Sequence, residues 1–81
     1  MHSTPEALRA TRGARIRQAR VDKGLSQEAL ASAMEPPVTK AAVSDWESGK
    51  SSPRLPHQFA LIRVLDADLA AVFGIDLDGA A

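Results

Sequence analysis

Two neighbouring segments constrain this chain more than anything else in it: Gly24-Leu-Ser-Gln-Glu-Ala-Leu-Ala31, and Thr39-Lys-Ala-Ala-Val-Ser-Asp-Trp-Glu47 eight positions further on. Each opens on a hydroxyl residue that can cap a helix and continues with apolar residues at helical spacing. Ser26 caps the first, whose apolar positions are Ala29, Leu30, Ala33 and Met34. Pro36 disfavours the α conformation at Glu35, so that helix ends at or before it, and Pro36-Pro37-Val38 forms a stiff connection. Thr39 caps the second, which ends near Ser48-Gly49.

The remaining elements follow from the same signals. Ser3 or Thr4 caps an opening helix, with Pro5 in its first turn and Glu6 at the positive end of its dipole. That helix runs to about Lys23, places Leu8, Ile16 and Ala19 along one side, and stops at Gly24. Gly13 lowers its local helix propensity by roughly 1 kcal/mol relative to alanine, which predicts fraying or a kink there. Beyond the loop Ser51-Ser52-Pro53, Leu55-Pro56 opens a fourth helix with Phe59, Ile62 and Leu65 facing inward. Asp68 is the expected cap of a short fifth helix ending at Phe73-Gly74, and residues 75–81 read as a loose tail. No strand-length alternation or internal repeat competes, so the expectation is an all-α five-helix bundle in one domain, residues 1–81.

Composition excludes several classes of function. With no cysteine among 81 residues, a disulfide scaffold, a thiolate metal site and a cysteine nucleophile are ruled out. His2 and His57 have no carboxylate or second histidine at ligand spacing, so neither a metal nor a cofactor is expected. No nucleophile–base pair or phosphate-cradling glycine loop points to an enzyme. No apolar run approaches a membrane span and no secretory segment follows Met1, so the expected location is cytoplasmic, without membrane association.

The formal net charge is zero, but its distribution is polarised. Residues 1–25 carry Arg9, Arg12, Arg15, Arg17, Arg20 and Lys23 against Glu6 and Asp22, a net of +4. Residues 26–54 net −1, and residues 55–81 net −3 through Arg63 against Asp66, Asp68, Asp76 and Asp78. A basic end preceding the paired helices suits an anionic partner; a merely solvated face on the first helix is the plain alternative.

Two short helices joined this way, at about residues 26–48, have the layout of a helix-turn-helix, in which the second presents its outer face to the DNA major groove. Over about residues 12–74 the chain resembles the lambda-repressor-like (XRE, phage Cro–CI type) helix-turn-helix family. The resemblance rests on Ile16-Arg-Gln-Ala-Arg20, Gly24-Leu-Ser-Gln-Glu-Ala-Leu-Ala31, Val43-Ser-Asp-Trp-Glu-Ser-Gly-Lys50, Pro53 and Leu65…Leu69-Ala-Ala-Val-Phe73. It implies an all-helical five-helix domain that binds operator DNA, usually as a dimer. One departure is the connection through Pro36-Pro37, about two residues longer than the commonest form, which bears on the angle at which the third helix is presented.

On a helical wheel, Val43 and Trp46 mark the core side of that helix, while Ala41, Ser44, Asp45 and Ser48 fall opposite. With Lys40 at its start, this outward set would meet base edges. Lys40 can donate to guanine O6/N7 or to a phosphate, Ala41 can touch a thymine methyl or simply permit close approach, and Ser44 suits a base or a phosphate. Asp45 is repelled by phosphates unless it accepts from cytosine N4 or pairs with a neighbouring cation; otherwise it lies outside the contact zone. Gln27, at the start of the second helix, is a candidate phosphate contact, and the resemblance implies that it clamps the DNA backbone. Lys50, Ser51, Ser52 and Arg54 would reach phosphates from the loop, with Arg17 a further candidate. The resemblance also implies a structural ion pair between Arg20 and Glu47. Trp46 reads as core.

The expected function is sequence-specific regulation of transcription by a phage- or prophage-type repressor, acting on double-stranded operator DNA as a homodimer. Val72, Phe73, Ile75 and Leu77 either contribute to the dimer contact or, for the first two, close the monomer's core. The alternative is an antitoxin of a toxin–antitoxin pair, or an interaction module of the same fold, partnered by a toxin or another small protein. Zero net charge and Asp45 favour that alternative. The chain's end just after the fifth helix suits either a whole small regulator or the N-terminal domain of a longer one.

Overall fold

A computed structural model describes residues 4–76. They form five helices in the order α1 (Pro5–Asp22), α2 (Gln27–Ala33), α3 (Lys40–Ser48), α4 (Leu55–Val64) and α5 (Leu69–Val72), with no strand among them. None of these helices is long and apolar enough to cross a membrane. His2, Ser3, Leu77 and Asp78 lie outside the described residues, as does the tail from residue 77 onward.

Three helices begin on a hydroxyl cap. Thr4 Oγ1 accepts from Ala7 N at 3.1 Å, Ser26 Oγ from Ala29 N at 3.0 Å, and Thr39 Oγ1 from Ala42 N at 3.1 Å. Each bond satisfies a first-turn amide that has no partner within its helix. The fifth start departs from expectation: Asp68 makes no side-chain cap bond, and Asp66 Oδ1 instead accepts from Asp68 N at 2.9 Å. Asp68 already has helical backbone angles (φ −62°, ψ −22°), so its carboxylate is not placed to reach back over the turn.

Gly13 neither frays nor kinks α1, which runs unbroken for 18 residues. The glycine is buried against the end of α3, and a Cβ there would stand 2.4 Å from Trp46 O and 2.5 Å from Glu47 O. The missing side chain lets the two backbones meet, and that packing outweighs the propensity cost.

The core joins Ile16 of α1, Leu30, Ala31 and Met34 of the α2 segment, Val43 and Trp46 of α3, Ala60, Leu61 and Leu65 of the α4 segment, and Leu69 of α5. Fully burying a side chain such as Ile16, Leu30, Val43 or Leu61, all 0% exposed, contributes about 1.5–3 kcal/mol. Several expected core positions turn out otherwise. Leu8 is 43% exposed, because the first turns of α1 run beyond the core. On α2, Ala31 is buried while Ala29 and Ala33 are exposed, since a seven-residue helix turns only the Leu30–Ala31–Met34 side inward. On α4, Phe59 is 42% exposed and Ala60 and Leu61 take the interior. The first turn of α4 carries the His57 ring on the same side, its centroid 5.2 Å from that of Trp46. Residues spaced helically from His57 (Ala60, Leu61, Val64) then share its side. Val72 and Phe73 pack against the core, and Ile75 N donates to Ala70 O at 2.7 Å, tying the start of the tail to α5.

Candidate nucleic-acid interface

α3 has two unlike sides. Val43 and Trp46 are buried, whereas Lys40, Ala41 and Ser48 are exposed and Ser44 and Asp45 are half-buried. The five outward residues thus form one accessible strip on a helix whose other side is core. Among the described residues the Asp45 carboxylate has no hydrogen-bond or ion-pair partner, so its charge is open to whatever approaches the strip.

The end of α3 is fastened to both neighbouring helices through Glu47. Arg20 of α1 donates to it twice, Nε to Oε2 at 2.6 Å and Nη2 to Oε1 at 3.0 Å, while Arg20 Nη1 donates to Leu25 O at 2.8 Å. Gln27 Nε2, at the start of α2, donates to Glu47 Oε1 at 3.1 Å. The side chains of Arg20 and Glu47 are 12% and 5% exposed, so this is a part-buried, bidentate pair. Hydrogen bonding to Glu47 holds the Arg20 guanidinium above its ordinary pKa, with burial opposing and charge attraction adding to it. The cation is therefore permanent across accessible pH.

The loop after α3 folds back on that helix. Gly49 takes the left-handed conformation (φ 80°), and Asp45 O then accepts from Lys50 N at 2.9 Å and Ser51 N at 3.3 Å. A side chain at Gly49 would also collide with Ala10 N, 2.9 Å away, and Gly49 O accepts from Arg9 Nε at 3.2 Å. Lys50, Ser51, Ser52 and Arg54 are exposed along this loop, whose far end is pinned by buried Pro53 and by Gln58 Nε2 donating to Pro53 O at 3.0 Å. Arg17 is exposed on α1, one residue beyond buried Ile16.

The arrangement can dock a convex, base-sized strip against a polar surface, flanked by cations suited to phosphate. No cluster of three or more metal-ligating side chains occurs among the described residues. Sequence reasoning missed the contacts that set α3's seat, namely Gly13 beneath Trp46 and Glu47, Arg9 on Gly49, and His57 against Trp46. Only Gly13 gave a signal, since a glycine inside a helix often marks a close approach.

A family model described as helix-turn-helix matches residues 16–72. Comparison with curated proteins and with solved structures finds no match.

Proposed function

The chain belongs to the helix-turn-helix family of the lambda-repressor-like (XRE) type, a family of DNA-binding regulatory domains, and from that membership we propose a sequence-specific transcriptional repressor of phage or prophage type. In this reading α3 enters the major groove and a homodimer engages two half-sites. Lys40, Ala41, Ser44 and Asp45 read bases. Lys50, Ser51, Ser52, Arg54, Arg17 and Gln27 hold phosphates and set the register. Gln27 keeps one Nε2 hydrogen beyond the one donated to Glu47, and that hydrogen suits a phosphate oxygen.

The observation that carries the reading is the division of α3. Its buried side and Glu47 fix its seat, and its accessible side bears Lys40, Ala41, Ser44, Asp45 and Ser48, next to an exposed loop bearing Lys50 and Arg54. The unpartnered Asp45 supports a second reading, an antitoxin or interaction module whose partner is a basic protein surface.

One experiment separates the two readings. The protein is titrated against a pool of random duplexes at several salt concentrations, and the bound fraction is sequenced. The repressor reading expects a palindromic site and an affinity falling steeply with salt. Weak binding with no enriched sequence would refute it and direct the search to a protein partner.

A further inference from the structure

The last turn of α3 carries no basic side chain, although its carbonyls form the negative end of the helix dipole. A cation reaches it from another helix. Arg9, in the second turn of α1, donates from Nε to Gly49 O at 3.2 Å. Lys50 N donates to Asp45 O at 2.9 Å, so the Gly49–Lys50 peptide is held at both of its polar atoms. A peptide is planar, and fixing its oxygen and its N–H fixes the direction in which the chain leaves toward Lys50 and Ser51. Gly49 supplies no such direction of its own, because glycine accepts many backbone conformations. Backbone of α1 forms the floor: a Cβ on Gly49 would meet Ala10 Cα at 3.0 Å and Arg9 C at 3.2 Å.

We propose that Arg9 is a positioning residue for DNA binding: through Gly49 O it aims Lys50 and Ser51 at the phosphate backbone, without touching DNA itself. The proposal rests on the operator-binding reading above and deepens it. It gives the opening turns of α1, which precede the matched residues 16–72, a share in presenting the loop.

The two ends of the loop are held by different means. At the far end, burial of Pro53 and the bond from Gln58 Nε2 to Pro53 O fix the chain, so Arg54 does not depend on Arg9. The near end is held by Asp45 O and Arg9. Ser48 Oγ, 3.4 Å from Lys50 N, adds only a long second bond to the same N–H. Arg9 itself is poorly placed for a phosphate. Its Nε is engaged with Gly49 O, and its Nη2 lies 3.9 Å from the Oε1 of Glu6, a side chain 77% exposed. A phosphate approaching that outer nitrogen would be repelled by the Glu6 carboxylate. Lys50 and Arg54 have no carboxylate partner among the described residues.

Counterion release sets the size of the effect. Log affinity falls by about 0.9 per tenfold rise in salt for each phosphate neutralised, so one contact is worth about tenfold near 0.1 M salt. A misdirected Lys50 should cost that much affinity and about one in salt slope. Glutamine separates the two roles open to an arginine here. Its Nε2 stands as many bonds from Cα as the arginine Nε, so Arg9→Gln keeps the donor and discards the charge. Arg9→Lys keeps the charge and puts a carbon at that point, and Arg9→Met keeps neither.

The test measures these variants of the whole chain on the duplex enriched from the random pool, at several salt concentrations, after thermal melting has shown each to be folded. Arg9→Met should bind about tenfold more weakly near 0.1 M salt, with the slope reduced by about one. Arg9→Gln should stay within about threefold of the wild type, and Arg9→Lys should fall closer to Arg9→Met. In the Lys50→Ala background, Arg9→Met should cost no more than about threefold, because the contact it aims is already gone. In the free protein, hydrogen exchange at the Lys50 amide should quicken in Arg9→Met and not in Arg9→Gln. Wild-type affinity in Arg9→Met would overturn the proposal. So would losses that multiply in the double variant, or an unimpaired Arg9→Lys beside a weak Arg9→Gln, since either means that Arg9 meets phosphate itself. Should Arg9→Met fail to fold, the glutamine and lysine variants decide between them. A wild type that binds no duplex refutes the operator-binding reading; an unchanged Lys50 exchange rate in Arg9→Met removes Arg9 from the loop whether or not DNA binds.

Discussion

Replacing Gly13 with alanine sets two physical effects against each other with opposite signs. By helix propensity alone, alanine in the middle of α1 stabilises by about 1 kcal/mol. The structure opposes this: the new Cβ would stand 2.4 Å from Trp46 O, 2.5 Å from Glu47 O and 2.8 Å from the Glu47 carbonyl carbon, where ordinary contact begins at 3.4 Å. All three atoms belong to backbone, so no rotamer change relieves the overlap, and α1 must retreat from α3 by about 1 Å. That retreat also stretches the 2.6 Å bond between Arg20 and Glu47 two turns along the same helix. Overpacking costs about 1–3 kcal/mol, and because backbone must move here the upper end, about 2–3 kcal/mol, applies; less the roughly 1 kcal/mol of propensity, the net change is a loss of about 1–2 kcal/mol. For a domain of this size that lowers the melting temperature by about 5–15 °C. Thermal unfolding followed by far-ultraviolet circular dichroism and by Trp46 fluorescence reads it directly. Ala14→Gly, at an exposed neighbour in the same helix, calibrates the propensity scale at about 1 kcal/mol. A Gly13→Ala protein that melts at or above the wild type would refute the reasoning.

Glu47→Ala leaves the part-buried Arg20 cation without its carboxylate and should cost about 2 kcal/mol in urea unfolding, while Arg20→Met/Glu47→Leu together should cost less than that single change; a smaller loss in the single variant than in the double would contradict the pairing. Because the Arg20 pKa is raised on folding, its contribution is complete below the ordinary arginine pKa and is lost only as pH climbs through the raised value. The wild type and the Arg20→Met variant should therefore differ by a constant amount between about pH 7 and 10; a difference in melting temperature that shrinks across that window would overturn this. Lys50→Ala and Arg54→Ala should each reduce the slope of log affinity against log salt by about one and leave the enriched sequence unchanged. Ser44→Ala or Asp45→Asn should instead alter the enriched sequence with little change in slope, and a selection experiment in which these effects are exchanged would refute the division of roles.

The helices were legible in the sequence because their signals are local. Thr4, Ser26 and Thr39 announce their starts, Gly24, Gly49 and Gly74 their ends, and each acts within one turn. Rotation about the helix axis is not a local property. Phe59 and Ala60 are adjacent on α4, and which of them enters the core depends on what the other helices offer to Leu61 and His57, a core from α1–α3 and the Trp46 ring. Gly13 shows the same limit: its propensity cost can be read at position 13, but the carbonyl oxygens that require it belong to Trp46 and Glu47. For the interface, the wheel of α3 separated Val43 and Trp46 from the outward positions without help from structure. The loop was harder, since the bonds that draw Lys50 and Ser51 onto Asp45 O depend on the left-handed turn at Gly49.

The seat of α3 has a further consequence, for how such a protein changes over time. Every group that holds the helix in place points inward or sideways: Val43 and Trp46 into the core, Glu47 to Arg20 and Gln27, and the backbone of Trp46 and Glu47 onto Gly13. Lys40, Ala41, Ser44 and Asp45 contribute no side chain to that seat, and Ser48 only a local one, its Oγ donating to Asp45 O at 3.2 Å and accepting from Lys50 N at 3.4 Å. In the reading proposed above, recognition and folding are therefore written in different letters of one short helix. A lineage can exchange the outward letters, and with them its target, without passing through an unfolded ancestor, and a library randomised at those five positions should yield folded proteins almost throughout.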